Sequence, residues 1–183
     1  VCNPYPSKFE RTHTLKEARE LEDGTTDVSI AGRIIFMRKM GKLSFVRIRD
    51  LESDMQLEIK IDTVGEETYS FFKKLIDSGD FIGAHGEIFT TQTGEKTLRV
   101  ETLTFLGKAL KPLPEKFHGL QDTELKYRQR YTDLIMNEES RRVFLGRSKL
   151  YAFIHKYLGE NGFLEVETPI LQNAVSGASA KPF

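Results

Sequence analysis

Cysteine is nearly missing. The chain of 183 residues has one, Cys2, which excludes an internal disulfide framework and a zinc site built on thiolates. Long apolar runs are missing too: none approaches the roughly 18–20 residues that a membrane-spanning helix needs. Net charge is absent, because 27 lysines and arginines balance 27 aspartates and glutamates. That excludes a uniformly basic coat for nucleic acid, but not a local basic face. Catalytic signatures are absent as well. His13, His85, His118 and His155 are scattered and fit no metal-ligand spacing. No phosphate-cradling G-x-x-x-x-G-K-[ST] loop and no G-x-S-x-G elbow occurs. Glu165 and Glu167 share one face of an extended segment, where a solvated or salt-bridged pair is more ordinary than an acid–base pair.

What remains is a globular composition, 30% charged and 39% hydrophobic, with no repeat and no low-complexity tract. A reducing, cytoplasmic compartment is expected. The chain starts at Val1 without a secretory pattern and stops at Lys181-Pro182-Phe183 inside no completed element, so an excerpt of a longer protein is expected. Residues 1–25 form a leader: Asn3-Pro4-Tyr5-Pro6 cannot be helical, and Thr14-Leu15-Lys16-Glu17 is a capping box that opens a short helix ending near Gly24.

Residues 26–110 have strand periodicity. Val28, Ile30, Ile34 and Phe36 recur at even spacing. Val46 and Ile48 alternate with Phe45, Arg47 and Arg49, and Met55, Leu57, Ile59 and Ile61 alternate with Gln56, Glu58 and Lys60. Period two means one buried and one wet face. A helix then runs from Glu66 and Glu67 past Lys73 and Lys74 to a stop at Gly79. Two more strands, about 80–91 and 96–107, meet at a Thr93-Gly94 turn. The order β-β-β-α-β-β is that of the OB-fold barrel, which often binds oligonucleotides. Residues 111–121 form a linker, stiff at Lys111-Pro112-Leu113-Pro114 and bendable at His118-Gly119-Leu120. Beyond it the period is helical, over about 123–136 and 138–159, with Asp122 and Asn137 as N-caps. Val143, Phe144, Leu150, Ile154, Tyr157 and Leu158 make an apolar stripe that is most simply core. Phe163 to Leu171 is extended.

The second strand carries the clearest chemistry. With Val46 and Ile48 inward, Leu43, Phe45, Arg47 and Arg49 face outward. An aromatic among arginines on a wet sheet face can stack on an unpaired base, with cations close by for phosphate. From Arg33 to Arg49 there are six basic residues (Arg33, Arg38, Lys39, Lys42, Arg47, Arg49) and no acidic one. On this pattern alone a solvated face is the commoner explanation, since single exposed apolar residues are ordinary.

Two longer segments add a family. One runs from Lys108-Ala109-Leu110-Lys111-Pro112-Leu113-Pro114 through His118-Gly119-Leu120-Gln121-Asp122 to Tyr127-Arg128-Gln129-Arg130-Tyr131. The other comprises Gly162-Phe163-Leu164-Glu165-Val166-Glu167-Thr168-Pro169-Ile170-Leu171 and Ser176-Gly177-Ala178-Ser179-Ala180-Lys181-Pro182-Phe183. Together they closely resemble the class II lysyl-tRNA synthetases, over essentially the whole chain; the linker is the most discriminating part. Where the family's tail has two glycines, Ser176-Gly177 stands here.

The resemblance implies an all-β OB-fold anticodon-binding domain at 26–110 and, at 122–183, the helical start of an α+β class II catalytic domain. Motif 1, at about 162–171, would place Gly162, Phe163, Val166 and Pro169 at a homodimer interface. It implies ATP-dependent activation of lysine, assisted by magnesium, and transfer to tRNA(Lys). The ATP- and lysine-binding residues would lie beyond Phe183, so this portion is expected to hold no cofactor and no catalytic group. On the anticodon side, Phe45 matches the residue that stacks on the central base, Gln56 the one that reads it, Arg38 a nearby contact, and Glu95 the reader of a neighbouring base.

Phe45 and Gln56 both fall on the outward phase. Arg38 falls on the inward phase of its strand unless a bulge near Met37 turns it out. Tyr127, Arg128, Arg130 and Tyr131 could touch tRNA, but packing between elements is the preferred reading. The alternatives are an aspartyl or asparaginyl relative, and a stand-alone single-strand-binding OB protein with no enzymatic activity.

Overall fold

A computed structural model of the protein describes residues 5–114 and 122–170. They fall into two compact units, divided between Leu113 and Pro114. The first opens with helix α1 (Leu15–Glu20), where the Thr14 hydroxyl accepts from the Glu17 amide and the Glu17 carboxylate accepts from the Thr14 amide. This is the reciprocal cap that the sequence predicts. Leu15 and Ala18 face inward and are fully buried.

Five strands follow: β1 (Val28–Lys39), β2 (Leu43–Arg49), β3 (Asp54–Lys60), β4 (Phe81–Thr90) and β5 (Lys96–Gly107). They close into a barrel in the order β1-β2-β3-β5-β4. All neighbours are antiparallel except β3 and β5, which run parallel. This is the OB-fold barrel, and closure removes every free sheet edge. The alternation does the sorting: Val46 and Ile48 of β2, and Met55, Leu57 and Ile59 of β3, are buried inside.

Between β3 and β4 the chain makes a short turn of helix, α2 (Ile61–Val64), and then α3 (Glu66–Leu75). Ile61 therefore starts a helix and does not continue the strand as its spacing suggests. Helix α3 ends at Leu75, four residues short of Gly79, because the Ile76 backbone is already extended. Gly79 instead takes φ +100° in the turn into β4, a conformation that suits glycine. Helix α3 plugs one end of the barrel with Tyr69 and Phe72. The Tyr69 hydroxyl lies 3.0 Å from both the Ser44 hydroxyl and the Met40 carbonyl, which ties the plug to the β1–β2 turn. Asp80, fully buried, accepts from the Asp77 and Ala109 amides and from Lys108 Nζ, and so holds the end of β5 to the start of β4.

The second unit, described by itself, comprises α4 (Thr123–Arg128), α5 (Arg130–Met136) and α6 (Glu138–Glu160), then a segment to Ile170 that is neither helix nor strand. The expected helix over 123–136 is broken at Gln129 (φ −119°, ψ 54°). Asp122 caps α4 through the Leu125 amide, whereas Asn137 makes no side-chain cap to α6 and binds back to Asp133. No residue of α6, the stripe from Val143 to Leu158 included, is buried within this chain. The sequence segments 1–4, 115–121 and 171–183, which include the His118-Gly119-Leu120 bend and the Ser176-Gly177 tail, lie outside the described residues.

Candidate nucleic-acid interface

The outer face of the barrel is best followed row by row across the strands. One row runs Arg38 (β1), Phe45 (β2), Glu58 (β3), Arg99 (β5) and Glu87 (β4), each the Cα partner of the next. The adjacent row runs Phe36, Arg47, Gln56, Thr97 and Phe89. Same-face residues on one strand are two apart, so the rows lie about 7 Å from each other. Phe45, Gln56 and Arg38 thus share one patch, and Phe45 is half-buried with Ser44 and Val46 on either side of it buried.

Arg38 reaches this face because β1 changes phase. The pairing of β1 with β2 slips between Ile34 and Phe36. Up to Ile34 the even positions are buried; beyond the slip Phe36 and Arg38 are exposed and Met37 packs against the core. Lys39 follows Met37 inward and donates to the carbonyls of Lys73 and Ile76. An extra residue in one strand of a pair does this by reversing every later side chain. The bulge lies at Ile35, slightly before Met37, and it corrects the expectation that Phe36 continues the buried set. The trace in the sequence is the unbroken apolar run Ile34-Ile35-Phe36-Met37, which no alternating strand can bury on one face.

Glu95 comes to the patch through Arg47. The Arg47 guanidinium donates to Glu95 Oε1 at 2.9 Å and to Asp54 Oδ1 at 2.8 Å. Asp54 also takes Arg49 at 3.1 Å. Gln56 donates from Nε2 to the Thr97 hydroxyl at 3.1 Å, which leaves its carbonyl oxygen to accept from a ligand. Glu58 is buried beside Phe45, with Lys60 Nζ at 3.0 Å and Arg99 at 3.5 Å from Oε1, but neither is aligned to donate a hydrogen bond. The Arg99 guanidinium lies 4.5 Å from the Phe89 ring centroid.

The basic run of β1 and β2 is therefore mostly spoken for. Arg33 lies 4.1 Å over the Phe81 ring and donates to the Gly79 carbonyl, and its partial burial lowers its pKa. Arg47 and Arg49 are ion-paired, and Lys39 caps α3. Arg38 and Lys42 are the exposed members, without an ion pair or hydrogen bond among the described residues. Sequence reasoning missed Phe36, Glu58, Phe89 and Arg99, because cross-strand rows cannot be drawn before the register is known.

Asp54 sets the charge state of this network. Burial pushes its carboxyl upward, but hydrogen bonds and charge from Arg49 and Arg47 outweigh that and hold it below the ordinary carboxylate range. The native state then binds fewer protons here than the unfolded chain in acid, so the stabilisation is full near neutrality and fades as pH falls through the depressed value. Asp54→Asn is expected to destabilise the barrel at neutral pH, and its deficit relative to wild type should shrink from about pH 5 downward. Urea unfolding across that range measures it. A deficit that stays constant with pH would mean that shape, not charge, holds Arg47.

In the second unit, Arg130 lies 5.0 Å from the Tyr127 ring and 5.1 Å from the Phe144 ring and pairs with buried Asp133. Packing describes Arg130 well. It does not describe Tyr127, which is 71% exposed, or Tyr131, also exposed. Arg128 pairs with Glu124 on the helix surface, and Glu165 with His155. Among the described residues, no helix is long and apolar enough to cross a membrane.

Comparison with known proteins agrees with this layout. Residues 28–106 match the family described as OB-fold nucleic acid binding domain. Residues 122–183 match tRNA synthetases class II (D, K and N). The chain is 48% identical to the lysine–tRNA ligase of Lysinibacillus sphaericus (strain C3-41) over 99% of its own length and 38% of that protein. The same figures hold for the lysine–tRNA ligase of Lactococcus lactis subsp. cremoris (strain MG1363). With the lysine–tRNA ligase of Aquifex aeolicus (strain VF5) the identity is 49%, over 95% of this chain and 29% of that one. The chain thus spans well under half the length of the curated relatives it matches. Over 99% of its length the chain thus corresponds to the N-terminal part of lysine–tRNA ligases, an OB-fold domain followed by the opening helices of a class II synthetase domain.

Proposed function

We propose that residues 26–110 read the anticodon of tRNA(Lys), that 111–121 link this domain to the next, and that 122–183 begin the catalytic domain of a lysine–tRNA ligase. The full-length protein would then activate lysine with ATP and magnesium and transfer it to the tRNA, in the cytoplasm. No residue of this chain is assigned to ATP, magnesium or lysine.

The observation that carries the proposal is the shared outer patch: Arg38 and Phe45 side by side in one row, Gln56 in the next, and Glu95 drawn in by Arg47. A base stacked on Phe45 meets the Gln56 carbonyl oxygen, and a neighbouring base meets the unshared oxygen of Glu95. Uracil presents an N3–H that each of them can accept; cytosine presents a bare N3 that leaves both unpaired. Leaving such groups unpaired on desolvation costs about 1–3 kcal/mol. Arg38, exposed beside the ring, suits the backbone phosphate.

The test is a titration of the full-length protein with the uridine-rich anticodon stem-loop and with versions carrying cytidine at single anticodon positions, at one fixed salt. We expect each cytidine to weaken binding by about 5- to 150-fold. Equal affinities would identify a sequence-tolerant single-strand binder instead.

We also propose that the second unit helps to form a homodimer. Gly162, with φ +83°, turns the chain out of α6. Phe163 and Val166 beyond it are 65% and 73% exposed, and Pro169 is exposed too. These are the positions that the likeness to the synthetase family assigns to that interface, and none of them is buried within this chain.

A further inference from the structure

The sequence pattern offers one ring for one base, but the structure sets a second ring beside it. We propose that Phe36 is a second stacking surface, so that β1 and β2 hold two successive bases of a single strand. This rests on the reading of Phe45 given above. Phe36 pairs with Arg47 and Arg38 pairs with Phe45, on adjacent strands and adjacent rows. The four side chains form a two-by-two block, with rings on one diagonal and guanidiniums on the other.

Three observations carry this. First, the bulge at Ile35 turns Phe36 and Arg38 out together; without it Phe36 would lie in the barrel with Ile34. A phenylalanine left 44% exposed forgoes part of the burial that would stabilise the barrel. One exposed ring is ordinary, but here it stands in the row of Gln56, diagonal to Phe45. Second, diagonal neighbours on a sheet face are about 7–8 Å apart. Stacked bases rise only about 3.4 Å. The spacing therefore suits two bases splayed apart, each on its own ring, as in single-stranded RNA recognition. Third, the two guanidiniums divide the work. Arg47 is held by Asp54 and Glu95, so its charge is spent within the protein. Arg38 has no such partner among the described residues, and it stands between the rings, where the phosphate linking the two bases would pass.

The test uses the full-length protein and anticodon stem-loops at one salt concentration. Phe36→Ala is expected to weaken binding about 5- to 150-fold, the loss of one stacked base. Phe36→Trp is expected to bind within about twofold of wild type, since the substitution restores a ring face at a surface position. An abasic nucleotide on one side of the central anticodon base should weaken wild type as much as Phe36→Ala does, and should add nothing to that variant. Phe36→Leu, which keeps the apolar bulk without the ring face, should behave like Phe36→Ala and serves in its place if that variant unfolds. The idea fails if Phe36→Ala or Phe36→Leu binds like wild type while Phe45→Ala does not. It also fails if every abasic position weakens Phe36→Ala as fully as it weakens wild type. If neither ring matters, the anticodon reading itself is wrong, which is a different result.

Discussion

In the full-length protein, we expect Phe45→Ala to lower affinity for tRNA(Lys) about 5- to 150-fold and to leave lysine activation in the absence of tRNA within about twofold of wild type. The first number is the stacking energy of one base on one ring. The second follows from position. Phe45 lies half-buried on the outer face of β2, flanked by Arg38 and Glu58 across the strands. Its loss removes a platform and leaves the buried Val46 and Ile48 in place. Tyrosine at this position should recover most of the affinity, because the ring face is kept. Filter binding or charging kinetics reads the first quantity, and lysine-dependent pyrophosphate exchange the second. A parallel loss in both would mean that Phe45 supports the fold and not the ligand.

Gly86→Ala produces the largest loss of stability at any single glycine of the barrel. A Cβ at Gly86 would lie 1.9 Å from the Arg99 carbonyl oxygen. That neighbour is backbone and cannot swing aside. The position coincides with a slip in the β4–β5 register between His85 and Gly86. Relief requires the two strands to part at Arg99, the residue that stands next to Glu58 in the reading row. We expect a loss of about 3 kcal/mol or more, at the upper end of what overpacking costs. Gly41→Ala is the control, since a Cβ there meets nothing within 4 Å. Thermal or urea unfolding compares them, and equal midpoints for the two variants would show that the strands part freely.

Much of this barrel could be read in advance, for a simple reason. Alternation in β2 and β3 is set by local chemistry, and five strands with a helix after the third leave few ways to close. What escaped depends on contacts between distant parts of the chain. The Ile35 bulge needs the β1–β2 register, and only then do Phe36 and Arg38 face the same way as Phe45. Glu95 lies 48 positions after Arg47 and is joined to it by one guanidinium, which no local pattern encodes. The stop of α3 at Leu75 was missed because lysines in a last turn signal an approaching end without fixing it. The stripe on α6 was legible as a face that wants cover, but amphipathic spacing says nothing of what supplies it.

The parallel seam between β3 and β5 has a consequence of its own. It joins three residue pairs, Gln56 with Thr97, Leu57 with Leu98 and Glu58 with Arg99, the fewest of any junction in the barrel. Breathing of the closed sheet will start where the zip is shortest. Gln56 sits on one lip of that zip and Glu95 just outside the other, so under the proposed function an RNA loop held by both would act as a stitch across it. The barrel would then be tightest when occupied, with the free energy of recognition doubling as free energy of closure, and urea unfolding with and without the anticodon stem-loop measures it.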